Sequence, residues 1–161
     1  MTRSLNIRPA VREDAAQILD FIRQLAIYEK AEHEVLASED DILRHVLQDN
    51  AVASALICER DGVAIGFAVY FFSYSTWLGK PGLFLEDLFV LPEHRGDGAG
   101  KALLVRLAQL AVDKGCGRME WNVLNWNSPA IGFYESLKAR PQSEWTTYRL
   151  HGEALAALAR D

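Results

Sequence analysis

The sequence predicts a mixed α/β fold in which a partly antiparallel sheet is flanked by helices. Two β-prone runs, 51–59 and 63–72, are joined by the turn dipeptide Asp61-Gly62, which is typical of an antiparallel hairpin. A third apolar run, 83–91, leads through a glycine-rich turn into the amphipathic stretch 101–114. Strands that alternate with helices in this way indicate a mixed α/β class.

The segments before the hairpin add one strand and two helices. Residues 5–10 alternate between apolar and polar side chains, as a short strand does, and apolar residues recur at helical spacing from 11 to 28. Ser38 and Asp41 form a capping-box pattern, which predicts a second helix that ends at Leu47.

The segments after the glycine-rich turn complete the order. Gly115 ends the helix over 101–114. The pattern then predicts a strand over 119–124, a short helix over 128–138, a last strand over 144–150 and a terminal helix over 153–159. The succession before the terminal helix is therefore β-α-α-β-β-β-α-β-α-β.

Composition limits the classes of function. The chain has 161 residues, half of them hydrophobic, and we expect a single domain over 1–161. A net charge of −5 without a basic stripe argues against nucleic acid as a partner. Residues 1–7 contain no apolar signal core, and no run is long enough to span a membrane, so we expect neither secretion nor a membrane partner. Cys58 and Cys116 indicate free thiols in a cytoplasmic protein, and the scattered histidines predict no metal site.

The glycine-rich turn predicts a phosphate site. Gly96, Gly98 and Gly100 allow several backbone N–H groups to converge at the start of a helix, and Arg95 and Lys101 bracket the turn with positive charge. The spacing does not fit the dinucleotide fingerprint, because Lys101 or Leu103 occupies its third glycine position. It does not fit the P-loop either, because Arg95 stands at the position of the first glycine and Ala102 at that of the Ser or Thr. An ordinary strand-to-helix turn is the alternative interpretation.

Two adjacent carboxylates, Glu86 and Asp87, lie in the otherwise apolar run over 83–91. Charges in such a strand are costly unless they line a cavity or find partners, so they are candidates for holding a cationic amine. Neighbouring strand residues point to opposite faces, and we therefore expect at most one of them to reach an acceptor pocket directly. Structural pairing with backbone or arginine is the alternative for both.

Four other residues or groups of residues are candidates that also have a structural interpretation. The Tyr134 phenol is able to give a proton to a leaving group or to pack as a half-buried ring. Asn127 is by default the N-cap of the helix over 128–138. Glu29, with the neighbouring Glu32 and Glu34, forms an acidic rim or a solvated face. Aromatic residues cluster in the second hairpin strand and the turn after it, namely Tyr70, Phe71, Phe72, Tyr74 and Trp77. They line an acceptor pocket, belong to the core or form a subunit contact, and the sequence leaves these three alternatives open.

Several motifs in the same order resemble the GNAT N-acetyltransferase family, in its diamine and thialysine branch. They are Leu25-Ala-Ile-Tyr-Glu29, Tyr74-Ser-Thr-Trp-Leu-Gly79, Leu85-Glu-Asp-Leu-Phe-Val90, Arg95-Gly-Asp-Gly-Ala-Gly100, Leu124-Asn-Trp-Asn127 and Phe133-Tyr134. The resemblance implies a GNAT-type sheet, transfer of an acetyl group from acetyl-CoA to a primary amine of a small molecule, and a homodimer.

The resemblance also assigns residues. It implies that Glu86 and Tyr134 are catalytic, as amine-binding group and general acid. The implied coenzyme contacts are Leu88, Phe89, Val90, Arg95, Gly96, Asp97, Gly98, Ala99, Gly100, Lys101, Asn127 and Tyr134. The implied acceptor contacts are Tyr28, Glu29 and Glu86. From the carboxylate pair and the aromatic cluster described above, we also expect Asp87 and Trp77 to contact the acceptor.

Two residues depart from the family pattern. Lys138 replaces a glycine after the tyrosine helix, so we expect that turn to be made differently, and Asp97 places a negative charge in the turn, which we expect to point to solvent. Two other functions stay open, namely acetylation of a protein or peptide N-terminus and non-catalytic binding of an acyl-CoA.

Overall fold

The computed structural model describes residues 4–161, which form two compact units. The first unit ends at Asn122, and the second runs Val123–Asp161. Residues 1–3, which belong to the N-terminal segment considered above, lie outside the described residues. No helix in the described part of the chain is long and apolar enough to cross a membrane. The expectation of a single domain stays a prediction.

The first unit contains five strands and three helices. Their bounds are β1 Leu5–Pro9, α1 Ala15–Tyr28, α2 Glu39–His45, β2 Ser54–Arg60, β3 Val63–Ser75, β4 Lys80–Val90, α3 Ala99–Asp113 and β5 Arg118–Trp121. The capping box is confirmed, because Ser38 accepts from the Asp41 N–H while the Asp41 carboxylate accepts from the Ser38 N–H. The predicted turn is confirmed as well, since Asp61 and Gly62 both have positive φ, at 51° and 80°.

The strands form one sheet in the order β1-β2-β3-β4-β5. Neighbouring strands are antiparallel from β1 to β4, whereas β4 and β5 are parallel. The predicted fold class, a mixed and partly antiparallel sheet with flanking helices, is thereby confirmed.

The helices bury the two faces of this sheet. Phe21 of α1 stacks on Phe67 of β3, with ring centroids 5.4 Å apart, and lies 6.0 Å from the ring of Phe89 on β4. Because side chains alternate along a strand, residues such as Leu56 and Ala68 face the opposite side, where α3 contacts the same strands. Asp87, two residues before Phe89, thus shares the face that α1 covers.

The second unit contains α4 Ser128–Ser136 and α5 Gly152–Leu158. The prediction of a strand over 144–150 is wrong, because no strand forms there. The β-branched and aromatic side chains of this segment predicted a strand, but a strand also needs a hydrogen-bonded neighbour, which these residues lack among the described strand pairings.

Lys138 does not change the turn after α4, and that expectation is also wrong. Its φ is 70°, the left-handed conformation that glycine adopts most readily. The Ala139 N–H donates to the Tyr134 carbonyl and the Lys138 N–H to the Glu135 carbonyl, which is a Schellman ending.

Candidate functional site

A β-bulge lies at the carboxylate pair of β4. Val69 of β3 pairs with Asp87 and Tyr70 pairs with Leu85, so Glu86 is an extra residue without a partner on β3. A bulge bends the strand and re-aims its side chains. The expectation that Glu86 and Asp87 point to opposite faces stays a prediction, since the rule of strict alternation on which it rests does not apply at a bulge.

Three carboxylates are close enough to influence one another near this bulge. Burial is the main cause that raises the pKa of Asp87 to about 6, and the charges of Glu86 and Glu29 raise it further. Burial also raises the pKa of Glu29, which follows the last residue of α1. A cation placed among these groups would relieve their mutual repulsion. Glu32 and Glu34 lie exposed in a short 3-10 helix, as the interpretation of a solvated face predicts.

The outer edge of β4 is open next to these carboxylates. Its pairing with β5 extends only from Gly82 to Leu85. In the described pairings, Asp87 to Val90 pair with β3 alone, and Glu86 pairs with neither neighbour. Backbone groups of Leu88, Phe89 and Val90 are thus placed along an edge to which an extended ligand could add hydrogen bonds.

The glycine-rich turn connects this edge to α3. Gly96 and Gly98 have φ values of 85° and 84°, and Gly98 is the N-cap of the helix. Because the first helical bond runs from the Ala102 N–H to the Gly98 carbonyl, the N–H groups of Ala99, Gly100 and Lys101 have no acceptor within the helix. The turn thus combines free donors with the positive end of the helix dipole.

Gly100 differs from the other two glycines of the turn. It has no positive φ, and a Cβ placed on it would meet no atom within 4 Å. Neither backbone conformation nor crowding explains a glycine at this helical position, where alanine is intrinsically favoured. The residue is explained if the space in front of it is reserved for a ligand.

Arg95 is engaged with protein groups. Its Nε donates to the Val90 carbonyl at 2.8 Å, and its guanidinium carbon lies 5.1 Å from the ring centroid of Tyr28 and 5.3 Å from that of Phe89. The charge is therefore held between the end of α1 and the end of β4. One side chain thus links Tyr28, the residue before Glu29, to the start of the turn.

Asp97 has a protein partner too. Its carboxylate accepts a hydrogen bond from Nη1 of Arg60 at 2.7 Å, although the side chain stays 59% exposed. The expectation that the side chain points to solvent is confirmed by this exposure, and the structure adds a partner, because a buried cation at the end of β2 attracts the carboxylate. The sequence gives no sign of this contact, since the two residues are far apart along the chain.

The remaining predicted residues are placed as follows. Asn127 caps α4, where its side chain accepts from the Ala130 N–H, and Tyr134 is partly buried on the same helix, in the second unit. Trp77 belongs to the β3–β4 turn, and about 20 Å of extended chain separates Lys80 from Glu86, so the first unit does not bring Trp77 to the carboxylates. Of the five aromatic residues between 70 and 77, Tyr70 is buried and Phe71 stacks on Phe84, whereas Phe72, Tyr74 and Trp77 are exposed. No metal-binding group of three or more ligands occurs among residues 4–161.

Comparison with known proteins identifies the family. The family model described as "Acetyltransferase (GNAT) family" matches residues 17–138. The chain belongs to the GNAT acetyltransferase family. The prediction of an N-acetyltransferase is confirmed with it.

Relatives and solved structures agree with this assignment. The chain is 36% identical to thialysine N-epsilon-acetyltransferase of Sus scrofa, over 97% of this chain and 98% of that protein. It is 44% identical to L-ornithine N5-acetyltransferase NATA1 of Arabidopsis thaliana, over 62% of this chain and 43% of that protein. The structure of aminoglycoside N-acetyltransferase AAC(6')-Iy in complex with CoA matches with a TM-score of 0.72 and 25% identity, covering 94% of this chain and 98% of that one.

Proposed function

We propose that this GNAT enzyme transfers the acetyl group of acetyl-CoA to a primary amine of a small molecule, of the thialysine, diamine or polyamine kind. The observation that carries the proposal is the continuous segment from Glu86 to Lys101. Within it, a bulged carboxylate pair, an open strand edge and a phosphate-type turn follow one another directly. An acceptor site and a coenzyme site would then share one strand.

The residues of this segment fit coenzyme A by their donor chemistry. The open edge at Leu88, Phe89 and Val90 offers backbone groups to the amide-bearing pantetheine arm, as an added strand would use them. The N–H groups of Ala99, Gly100 and Lys101 would donate hydrogen bonds to the pyrophosphate. Gly96, Asp97 and Gly98 shape the turn, and we propose contacts from Asn127 and Tyr134 on the basis of the family resemblance.

The acceptor site is proposed at the end of α1 and the bulge of β4. Glu29, Glu86 and Asp87 supply negative charge for an ammonium group, and Tyr28 supplies a ring beside Arg95. The relatives named for thialysine and L-ornithine support an acceptor that carries its amine on a flexible side chain. Trp77 is also proposed as an acceptor contact, although the first unit by itself does not bring its side chain to the carboxylates.

The proposed chemistry needs one proton acceptor and one proton donor. An aliphatic amine has a pKa of about 10.4, so it arrives protonated and must lose a proton before its nitrogen attacks the thioester carbonyl. Glu86 accepts this proton directly or through water. As the C–N bond forms and the C–S bond breaks, the Tyr134 hydroxyl gives its proton to the coenzyme sulfur. The nitrogen then loses its second proton, which returns to the Tyr134 oxygen directly or through water, and the proton taken up by Glu86 passes to solvent. Backbone N–H groups at the β4 edge would stabilise the oxyanion.

We also propose a cytoplasmic location and a homodimer. Cys58 and Cys116 are both free thiols, which suits a reducing compartment. The exposed aromatic side chains of Tyr74 and Trp77 offer apolar area to a second copy of the chain. No metal is proposed for the reaction.

The decisive experiment measures release of free thiol from acetyl-CoA with a panel of acceptors. The panel contains thialysine, L-ornithine, spermidine, an aminoglycoside and a peptide with a free N-terminus. Turnover with the first three and none with the peptide supports the proposal. Turnover with the peptide alone would replace it by N-terminal acetylation, and tight acetyl-CoA binding without turnover would leave an acyl-CoA-binding module.

Glu86→Gln then tests the acceptor site, with Asp49→Asn as an exposed carboxylate control. We expect Glu86→Gln to lower kcat/KM for the acceptor by about a hundredfold or more while acetyl-CoA affinity is unchanged. The loss should be smaller for thialysine than for alkyl diamines, because a nearby sulfur lowers the amine pKa. Equal losses for all acceptors would show that Glu86 does not govern the proton.

A further inference from the structure

Arg60 is a buried cation at the end of a strand that carries no other part of the proposed site. It is the last residue of β2, and its side chain is 7% exposed. Its Nη1 donates to the Asp97 carboxylate at 2.7 Å, while its buried Nε has no hydrogen-bond partner among residues 4–161. Burial of a guanidinium with an incomplete set of partners is costly, so the contact with Asp97 is what compensates this charge.

Asp97 stands between the two left-handed glycines of the turn. The turn from Arg95 to Lys101 contains two positive side chains and one negative side chain, and Asp97 is the negative one. A carboxylate at this place would repel a pyrophosphate that approaches the N–H groups of α3. Its pairing with Arg60 cancels that charge and directs the carboxylate to the end of β2.

We propose that Arg60 is a positioning residue of the coenzyme site, which acts by neutralising Asp97 and holding it against β2 so that the turn accepts a pyrophosphate. The inference rests on the proposed function, because it concerns the same turn. Arg60 itself is not proposed to contact the coenzyme or the acceptor. Its effect on the coenzyme passes entirely through Asp97.

This route of action predicts a particular pattern in a double-mutant cycle. Arg60→Met exposes the coenzyme to an uncompensated carboxylate, so coenzyme A should bind about thirtyfold more weakly, the effect of like charges about 8 Å apart at an effective dielectric constant of about 20. Asp97→Asn removes the charge and keeps the backbone through which residue 97 shapes the turn, so it should bind coenzyme A at least as tightly as the wild type. The double variant Arg60→Met/Asp97→Asn should return to within about threefold of the wild type.

The cycle is measured by calorimetric titration with coenzyme A, and with pantetheine as a ligand that lacks the pyrophosphate. Pantetheine affinity should be the same in all variants. Arg8→Met is the matched control, because it removes an arginine from ion pairs with Asp14 and Glu59, outside the turn. Arg60→Gln repeats the test with a polar side chain in case the methionine variant does not fold.

Each outcome decides the inference. Rescue by Asp97→Asn supports it. A loss of coenzyme A affinity in Asp97→Asn alone, or a double variant as weak as Arg60→Met, would overturn it and make the ion pair a mechanical support of the turn. Failure of the wild type to bind coenzyme A would instead overturn the proposed function, so the two failures are distinguishable.

Discussion

The variant Gly100→Ala should distinguish an effect on coenzyme affinity from an effect on folding stability. Gly100 is the second residue of α3, it has no positive φ, and an added Cβ would meet nothing within 4 Å. The protein alone therefore has room for a methyl group there. If the space is reserved for the pyrophosphate, Gly100→Ala should weaken coenzyme A without harming stability.

The expected magnitudes have opposite signs. Alanine is favoured over glycine inside a helix by about 1 kcal/mol, so the free energy of unfolding should stay constant or rise by up to about 1 kcal/mol. A methyl group that keeps the phosphate from its N–H donors should lower coenzyme A affinity at least about tenfold, which corresponds to about 1.4 kcal/mol. Gly100→Asp should abolish binding, because it adds negative charge at the same place.

The assay combines urea denaturation with calorimetric titration of acetyl-CoA. Gly98→Ala and Gly115→Ala form a matched pair at the two ends of α3, since both residues have positive φ, at 84° and 76°, and open surroundings. Both should lose about 1–2 kcal/mol of stability, whereas only Gly98→Ala should weaken binding. Unchanged acetyl-CoA affinity in both Gly98→Ala and Gly100→Ala would refute the assignment of this turn.

Three further predictions concern single groups. The pKa of Asp87 is raised, so the folded state binds its proton more tightly than the unfolded state. The stability of the wild type should therefore fall relative to that of Asp87→Asn as pH rises from about 4 through about 6. Urea denaturation at pH 8 should show the variant more stable by up to about 3 kcal/mol, and an equal gap at pH 3.5 would contradict this. Lys138→Gly should raise the free energy of unfolding by about 0.5–1 kcal/mol, because it relieves a left-handed lysine; a less stable variant in thermal denaturation would show that the lysine side chain contributes more. Tyr134→Phe should lower kcat about a hundredfold or more with acetyl-CoA affinity intact, and wild-type turnover would return Tyr134 to a packing role.

Local chemical signals predicted most of the fold. The alternation of apolar residues, the Asp61-Gly62 turn and the Ser38–Asp41 capping box each depend on neighbours in the chain, and the structure confirms them. The failed strand over 144–150 depends instead on whether another strand lies beside it. Propensity describes a residue's own backbone and side chain, so it cannot supply a partner for a ladder.

The candidate site was predictable in its residues and not in its geometry. A glycine-rich turn and paired carboxylates are visible in the sequence, whereas the bulge at Glu86 arises from register between β3 and β4. Alternation along an ideal strand gave opposite faces for Glu86 and Asp87, and the extra residue removes that rule. The Arg60–Asp97 ion pair escaped for the same reason, because only tertiary structure brings the hairpin end to the turn.

Under the proposed function, the bulge allows one strand to bind both the acceptor and the coenzyme. From Gly82 to Leu85, β4 is paired on both edges, Glu86 is unpaired in the described register, and from Asp87 onward β4 pairs only with β3. Glu86, the extra residue of the bulge, thus marks where the other edge of β4 loses its strand partner. Arg95 then ties the end of that edge to Tyr28 through the Val90 carbonyl and the ring contact. An acceptor amine at the carboxylates and a thioester along the edge would therefore be held by one short, rigid segment, which is what alignment of nitrogen and carbonyl carbon requires.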